Sequence, residues 1–268
     1  MQHIFTYQNS KINYTDEGNG NIVVLLHGFG ETAAIWEFQQ DFLHKNYRII
    51  VPDLPGSGAS QILQQQHISI DDYAVCINSL VEHITNNSQQ KITLLGHSMG
   101  GYITLAFAKL FPQKLNGFGL IHSTAFADNE EKKLARLRGI EMIKEYGSYA
   151  FLKNTIPNLF ASEFKQNNPQ QVEVLIENGK TFAFAALEQY YIAMMNREDA
   201  TNVLKNATVP VLFVMGTDDV AAPLNDVLQQ CHLPTQSHIH ILKNVGHIGM
   251  WEATSAVNSA IEKFIEYC

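Results

Sequence analysis

Cysteine is scarce in this chain. Cys76, Cys231 and Cys268 are its three thiols in 268 residues, odd in number and widely spaced. That excludes a disulfide framework or a zinc knuckle, which need paired or closely spaced cysteines. Cys76 lies in an apolar helical run and reads as a small buried hydrophobe. Positive charge is short as well: 18 Lys and Arg stand against 26 Asp and Glu, for a net charge of -8. Nucleic-acid binding needs a concentrated basic excess, so no such partner is expected. The basic cluster Lys132 to Arg138 follows Glu130 and Glu131 and reads as a solvated helix face with i,i+4 pairing. No apolar run approaches the roughly 18 residues that cross a bilayer, so no membrane partner is expected. The start of the chain carries no basic segment leading into an apolar stretch, and a reduced cytoplasmic location is the expectation. Internal repeats and low-complexity tracts are lacking, and Gln64 to Gln66 is a short loop.

What is present is apolar. Hydrophobic residues make up 46% of the chain and charged ones 16%, enough for one sizeable core. Short runs rich in β-branched and apolar residues predict strands at about 4–7, 11–16, 22–26, 48–51, 92–96, 115–121, 211–215 and 238–242. Helical patterns fall between most of them, at 32–45, 70–85, 99–110, 224–231 and 253–267. Two early antiparallel strands followed by alternating βα units predict a mostly parallel eight-stranded sheet with helices on both faces. From about Ser123 to Thr208 the alternation stops. That segment has helical patterns, for instance 130–146 and 170–195, and reads as a cap inserted after strand 6. The expected organisation is a core of residues 1–122 and 209–268 with a helical cap over 123–208.

Ile92-Thr-Leu-Leu-Gly-His-Ser98-Met-Gly-Gly101 is an apolar strand running into Gly-x-Ser-x-Gly, with a helix-forming run after it. A serine hydroxyl is a poor nucleophile unless it is exposed beside a base and near donors for the developing oxyanion. A sharp strand-to-helix turn supplies the exposure, and Gly96 and Gly100 suit the close approach it forces. Downstream, an apolar strand ends in Gly216-Thr-Asp-Asp219, and another precedes Gly246-His247. Ser98, Asp219 and His247 all fall just past strand ends, where open α/β sheets place their sites. In these roles His247 is the general base and Asp219 fixes its tautomer and stabilises the imidazolium.

Serine, acid and histidine in that order, with His27-Gly28-Phe29-Gly30 after the third strand and Gly-x-x-Asp-x-x-x-Pro at Gly216 to Pro223, resemble the α/β-hydrolase fold family over nearly the whole length. The resemblance implies a serine hydrolase with a helical cap, esterase- or lactonase-like, with no cofactor or metal. Its spacing favours Asp219 over Asp218, whose alternative reading is a turn residue. It also implies an oxyanion hole from the backbone N–H groups of Phe29 and Met99, with the Phe29 side chain on the pocket wall. Trp36, Ser123, Phe126, Met142 and Ile248 are further candidate wall residues, near strand ends, triad members or within the cap. His27 reads as an imidazole pinning the oxyanion loop, His97 as packing against the elbow, and Asp53 as a turn residue in Pro52-Asp-Leu-Pro-Gly-Ser-Gly58. His238 and His240 alternate on one strand without a third metal ligand. Glu252 is expected to serve the following helix N-terminus by its charge.

The leading expectation is hydrolysis of a small, largely apolar carboxylic ester or lactone through an acyl-enzyme at Ser98, in a monomer or homodimer. A C–C bond hydrolase or lyase with the same triad is the second reading. Its anionic substrates call for a pocket arginine, for which Arg136, Arg138 and Arg197 are the cap candidates and Arg48 lies on a strand. A ligand sensor that keeps the triad is the third. A dehalogenase or epoxide hydrolase is disfavoured, because those relatives carry Asp where Ser98 stands.

Overall fold

The computed structural model describes residues 2–86 and 88–268. Its strands are β1 (Gln2–Tyr7), β2 (Ser10–Glu17), β3 (Ile22–Leu26), β4 (Arg48–Pro52), β5 (Ile92–His97), β6 (Leu115–Ile121), β7 (Val211–Gly216) and β8 (Ser237–Leu242). They form one eight-stranded sheet in the order β1-β2-β4-β3-β5-β6-β7-β8. β2 pairs antiparallel with β1 and β4, and every other pairing is parallel. Burial follows from this topology. β3 and β5 are buried at every position, as parallel strands covered on both faces are. β1, at one edge, alternates between exposed and half-buried residues.

The helices are α1 (Glu37–Leu43), α2 (Ile70–Ile84), α3 (Met99–Leu110), α4 (Glu130–Tyr146), α5 (Ser148–Thr155), α6 (Ser162–Asn167), α7 (Pro169–Asn178), α8 (Phe184–Met195), α9 (Thr201–Lys205), α10 (Leu224–Leu228), α11 (Gly249–Glu252) and α12 (Thr254–Tyr267). α1 packs on α12, and α2 on α3. β6 separates the two pairs: a Cβ on Gly117 would lie 2.9 Å from Phe264 of α12. Its neighbour Phe118 shares a cleft with Leu105 of α3. α2 starts where Ser69 accepts the N–H of Asp72 while Asp72 accepts that of Ser69, a reciprocal cap.

Between β6 and β7 the chain makes only helices, α4 to α9, among the described residues. The helical pattern over 170–195 is not one helix. It breaks into α7, a 3-10 turn at Gly179–Thr181, and α8. The Thr181 hydroxyl captures the carbonyl of Asn178. Gly179 presses on Leu152, where even a Cβ would lie 3.1 Å away. Both favour a turn over continuation. Likewise 32–45 divides into a 3-10 turn at Ala33–Trp36 and α1.

Candidate active site

Ser98 stands between β5 and α3 with φ 51° and ψ -116°, a backbone that non-glycine residues rarely adopt. Neighbouring backbone holds it there. Its N–H donates to the Ile121 carbonyl at 3.1 Å, and its carbonyl accepts from Gly101 N–H at 2.9 Å and Ser123 Oγ at 2.7 Å. The turn is so tight that a Cβ on Gly96 would lie 2.1 Å from the Gly100 carbonyl oxygen. One on Gly100 would lie 2.5 Å from that of Leu26. No side chain fits at either position.

Asp219, three residues past β7, is buried, and its Oδ1 accepts the N–H groups of Ala221 at 2.9 Å and Ala222 at 2.8 Å. Both carboxylate oxygens lie 2.9 Å from His247 Nδ1. Burial pushes the Asp219 carboxyl up, but His247 and His122 outweigh it and hold the group well below the usual carboxylate range. For His247 burial works downward. The Asp219 charge and hydrogen bond, with Glu31 and Glu252 further off, outweigh it and keep the ring above its ordinary value. Asp218 is exposed, accepts its neighbour Thr217's hydroxyl at 2.8 Å and gives its N–H to Val245, so it belongs to the turn.

The His247 loop is held from three sides. Its N–H donates to the Leu159 carbonyl at 2.6 Å, in the segment between α5 and α6. Its carbonyl lies 2.9 Å from His97 Nε2. Glu252 turns its carboxylate away from the helix that follows it: it accepts N–H groups from Gly246 at 3.0 Å, Ile248 at 3.1 Å and Ala161 at 2.9 Å. That corrects the dipole reading, because the carboxylate turns back onto the loop before it.

Two further residues escaped the sequence reading. His122 directly follows β6 with φ 49°, and its Nδ1 lies 3.0 Å from Asp219 Oδ2, so the acid has two imidazole partners. Burial keeps the His122 ring below its ordinary value, against the pull of Asp219. Its Nε2 is buried without a partner and packs where a Cβ on Gly249 would lie 2.1 Å away. His122, Asp219 and His247 bring potential metal-ligand atoms together, but direct hydrogen bonds among them already use these atoms. Glu31 is the second, 3% exposed, bonded to Gly28 N–H at 2.6 Å and to His97 Nδ1 at 2.9 Å. The signal for His122 was the strand-end position that marks the triad; no local pattern marks Glu31.

Among the described residues, the N–H groups of Phe29 and Met99 meet no acceptor. The Phe29 ring stacks on Tyr191 of α8 at 4.1 Å between centroids, which fixes the loop against the segment above the sheet. His27 pins the loop from below: Nδ1 donates to the Gly28 carbonyl at 2.9 Å, and Nε2 accepts the Leu54 N–H at 2.9 Å. Asp53 accepts the N–H groups of Ala33 and Ala59 and is a turn residue.

The candidate wall residues separate. Trp36 and Ile248 are fully buried, Trp36 edge-on to the His97 ring at 6.5 Å. Ser123 is buried too and spends its hydroxyl on the Ser98 carbonyl. These three are closed off from solvent. Phe126 is half-buried with its carbonyl on Arg197, and Met142 is 42% exposed on α4. Of the candidate arginines, Arg136 at 2.6 Å and Arg197 at 2.9 Å both pair with Asp128, Arg48 pairs with Asp16, and Arg138 is exposed on α4. His238 packs edge-on against Phe264 and Tyr267 of α12. A cleft of about 800 Å³ lies beside α3 and α9, lined by residues including Tyr102, Leu105, Thr124, Arg197 and Val203. None of Ser98, Asp219 and His247 lines it.

A sequence model of the alpha/beta hydrolase fold matches residues 21–254. An (E)-2-((N-methylformamido)methylene)succinate hydrolase of Acinetobacter baylyi is 24% identical over 96% of this chain and 95% of its own length. Among solved structures, a thermophilic esterase from Thermogutta terrifontis, with malate bound, superposes with a TM-score of 0.92 at 26% identity, covering 100% of this chain and 98% of that one. The enol-lactonase of Burkholderia xenovorans superposes with a TM-score of 0.88 at 18% identity, over 98% and 100% of the two chains.

Proposed function

Since the chain belongs to the alpha/beta hydrolase fold family, we propose that it is a serine hydrolase cleaving a small, largely apolar carboxylic ester or lactone through an acyl-enzyme at Ser98. The observation that carries this is the strained serine at the end of β5, together with a buried carboxylate–imidazole pair closed at 2.9 Å on the loops after β7 and β8. The rings of His247 and His97, the residue before the serine, are 4.7 Å apart, which sets the base over the end of that strand.

In this mechanism Ser98 Oγ attacks the acyl carbon while His247 Nε2 takes its proton. The oxyanion accepts the free N–H groups of Phe29 and Met99, donors worth about 3–4 kcal/mol each in comparable sites. Collapse breaks the bond to the leaving alkoxide, which receives the proton from His247. Water then attacks the acyl carbon, gives a proton to His247, and releases the acid and the free serine. Asp219 stays ionised and keeps Nδ1–H aimed at itself throughout. We place the cap at residues 123–208, over the ends of the strands, where its apolar groups favour compact substrates over polymers. The ion pairs of Arg136 and Arg197 with Asp128 favour uncharged esters over carboxylate-bearing ones. The esterase and lactonase likenesses agree with the bond class proposed.

The test is hydrolysis of p-nitrophenyl short-chain esters with mass mapping of a fluorophosphonate adduct. The adduct is expected on Ser98, and Ser98→Ala and His247→Ala should each lower kcat by roughly 10⁴-fold or more. Wild-type turnover by either variant would refute the mechanism. Faster turnover of a hemisuccinate ester than of the matching butyrate ester would transfer the substrate class to carboxylates.

A further inference from the structure

Two buried ionisable residues take no part in the proposed chemistry yet touch every part of it. His97 is fully buried and Glu31 nearly so. His97 Nε2 lies 2.9 Å from the His247 carbonyl oxygen, which can only accept, so this nitrogen carries a hydrogen. His97 Nδ1 lies 2.9 Å from Glu31 Oε2, which also accepts the Gly28 N–H at 2.6 Å. The remaining proton sits either on the ring or on the carboxyl. Burial pushes the Glu31 carboxyl up, but the His97 charge, its hydrogen bond and the Gly28 N–H outweigh this and hold it below its ordinary value. An ionised carboxylate facing a doubly protonated ring satisfies all three contacts.

A buried ion pair is poor support for stability, because desolvation cancels much of the attraction. Its location gives it a different use. A Cβ on Gly28 would lie 3.0 Å from Ser98 Cβ, 3.0 Å from Glu31 Oε2 and 3.2 Å from His97 Nδ1. The pair and the Ser98 Cβ therefore crowd the same point on Gly28, in the oxyanion loop. It joins residues 66 positions apart at one end and 150 at the other. We propose that Glu31 and His97 form a buried carboxylate–imidazolium pair that holds the oxyanion loop, at Gly28, and the base loop, at the His247 carbonyl, in register around Ser98. They are positioning residues, since neither is placed to touch substrate. Losing the ring's second proton frees either the carboxylate or the carbonyl, and the two loops then lose their common tie.

The kinetic part of this inference rests on the proposed hydrolase function; the ionisation part does not. In the full-length wild type labelled with ¹⁵N-histidine, the His97 ring is expected to show two protonated nitrogens, one for each of its contacts. A singly protonated His97 at about pH 7 would overturn the proposal. Glu31→Gln keeps the Gly28 bond but takes the charge from the ring. It should lower kcat roughly 10- to 100-fold and leave KM within about twofold, as misplacement of catalytic groups does. Glu31→Asp should recover part of the loss. A folded Glu31→Gln enzyme with wild-type kcat would also overturn it. If Glu31→Gln does not fold, the wild-type ring spectrum decides. If the wild type hydrolyses no ester, the function falls while the ring spectrum still tests the pair.

Discussion

The nucleophile turn and the base loop reach the same few ångströms by opposite means. Ser98 is held mainly by backbone, through bonds to Ile121 and Gly101 and the missing side chains of Gly96 and Gly100, with the Ser123 hydroxyl adding a side-chain bond. The His247 loop takes its shape from side chains brought from afar, Glu252, His97 and Asp219, and from the Leu159 carbonyl of the helical insertion. A site built on backbone cannot be adjusted one contact at a time; a loop hung on side chains can. Mutations at the turn should therefore be all-or-none, and mutations around the loop graded.

Gly100→Ala should break this comparison hardest. Its Cβ would fall 2.5 Å from the Leu26 carbonyl oxygen and 2.7 Å from that of His27, both rigid strand-end backbone. Overpacking of this kind costs about 3 kcal/mol or more, which lowers Tm by roughly 6–12 °C in a chain of this size. Activity should vanish with it. Thermal unfolding and ester turnover on one preparation check both, and retention of either would show that the turn tolerates adjustment.

Glu252→Gln is the graded counterpart. Loss of the charge weakens all three N–H bonds, and the new NH₂ repels whichever N–H it faces. We expect kcat to drop about tenfold with Tm nearly unchanged, because positioning is lost while packing survives. Hydrogen exchange should quicken at Gly246 and Ile248 and at Ala161 together, since one carboxylate closes all three. Protection lost at the loop alone would mean that the insertion does not share in holding the base.

The same contrast explains what could be read from the sequence. Strand ends and the serine turn were legible because their signals are local: apolar runs, glycines at fixed offsets, and a position just past a strand. Asp219 and His247 followed from the same rule together with family resemblance. His122 was within its reach, since it directly follows β6, but a lone histidine there carries no pattern of its own. Glu31 and Glu252 were not legible as clamps. Their contacts span 66 and 91 residues, and neither residue type nor spacing announces a buried acceptor of backbone N–H groups. The break in the helical pattern over 170–195 was hidden for a related reason. Gly179 stops the helix by packing on Leu152, a tertiary contact that local periodicity does not contain.

The smallest expected effect concerns pH, and it separates the base from its acid. His247 must be neutral to accept the Ser98 proton, so turnover falls as pH drops through its pKa. Burial lowers that value, yet Asp219 first, then Glu31 and Glu252, raise it above the ordinary imidazole figure of about 6.5. The His97 and His122 rings also face it, at 4.7 and 6.0 Å between centroids. The acid limb of kcat/KM should therefore lie above the ordinary histidine value, and Glu252→Gln should move it down by a fraction of a unit. Stability runs the other way. A group raised in the folded state stabilises fully below its unfolded pKa and loses that contribution as pH climbs through the folded one. Asp219, held low, contributes above its unfolded value and loses that only as the solution becomes strongly acidic. Across the acid limb His247 thus gives up stability as activity is gained, while His122, His27 and His240, held low chiefly by burial, add it. The His247 share is read as the wild-type slope minus that of His247→Ala. A pH–rate profile beside denaturant unfolding at the same pH values would show it, and an acid limb at or below the ordinary imidazole value would mean that burial outweighs the carboxylates around the ring.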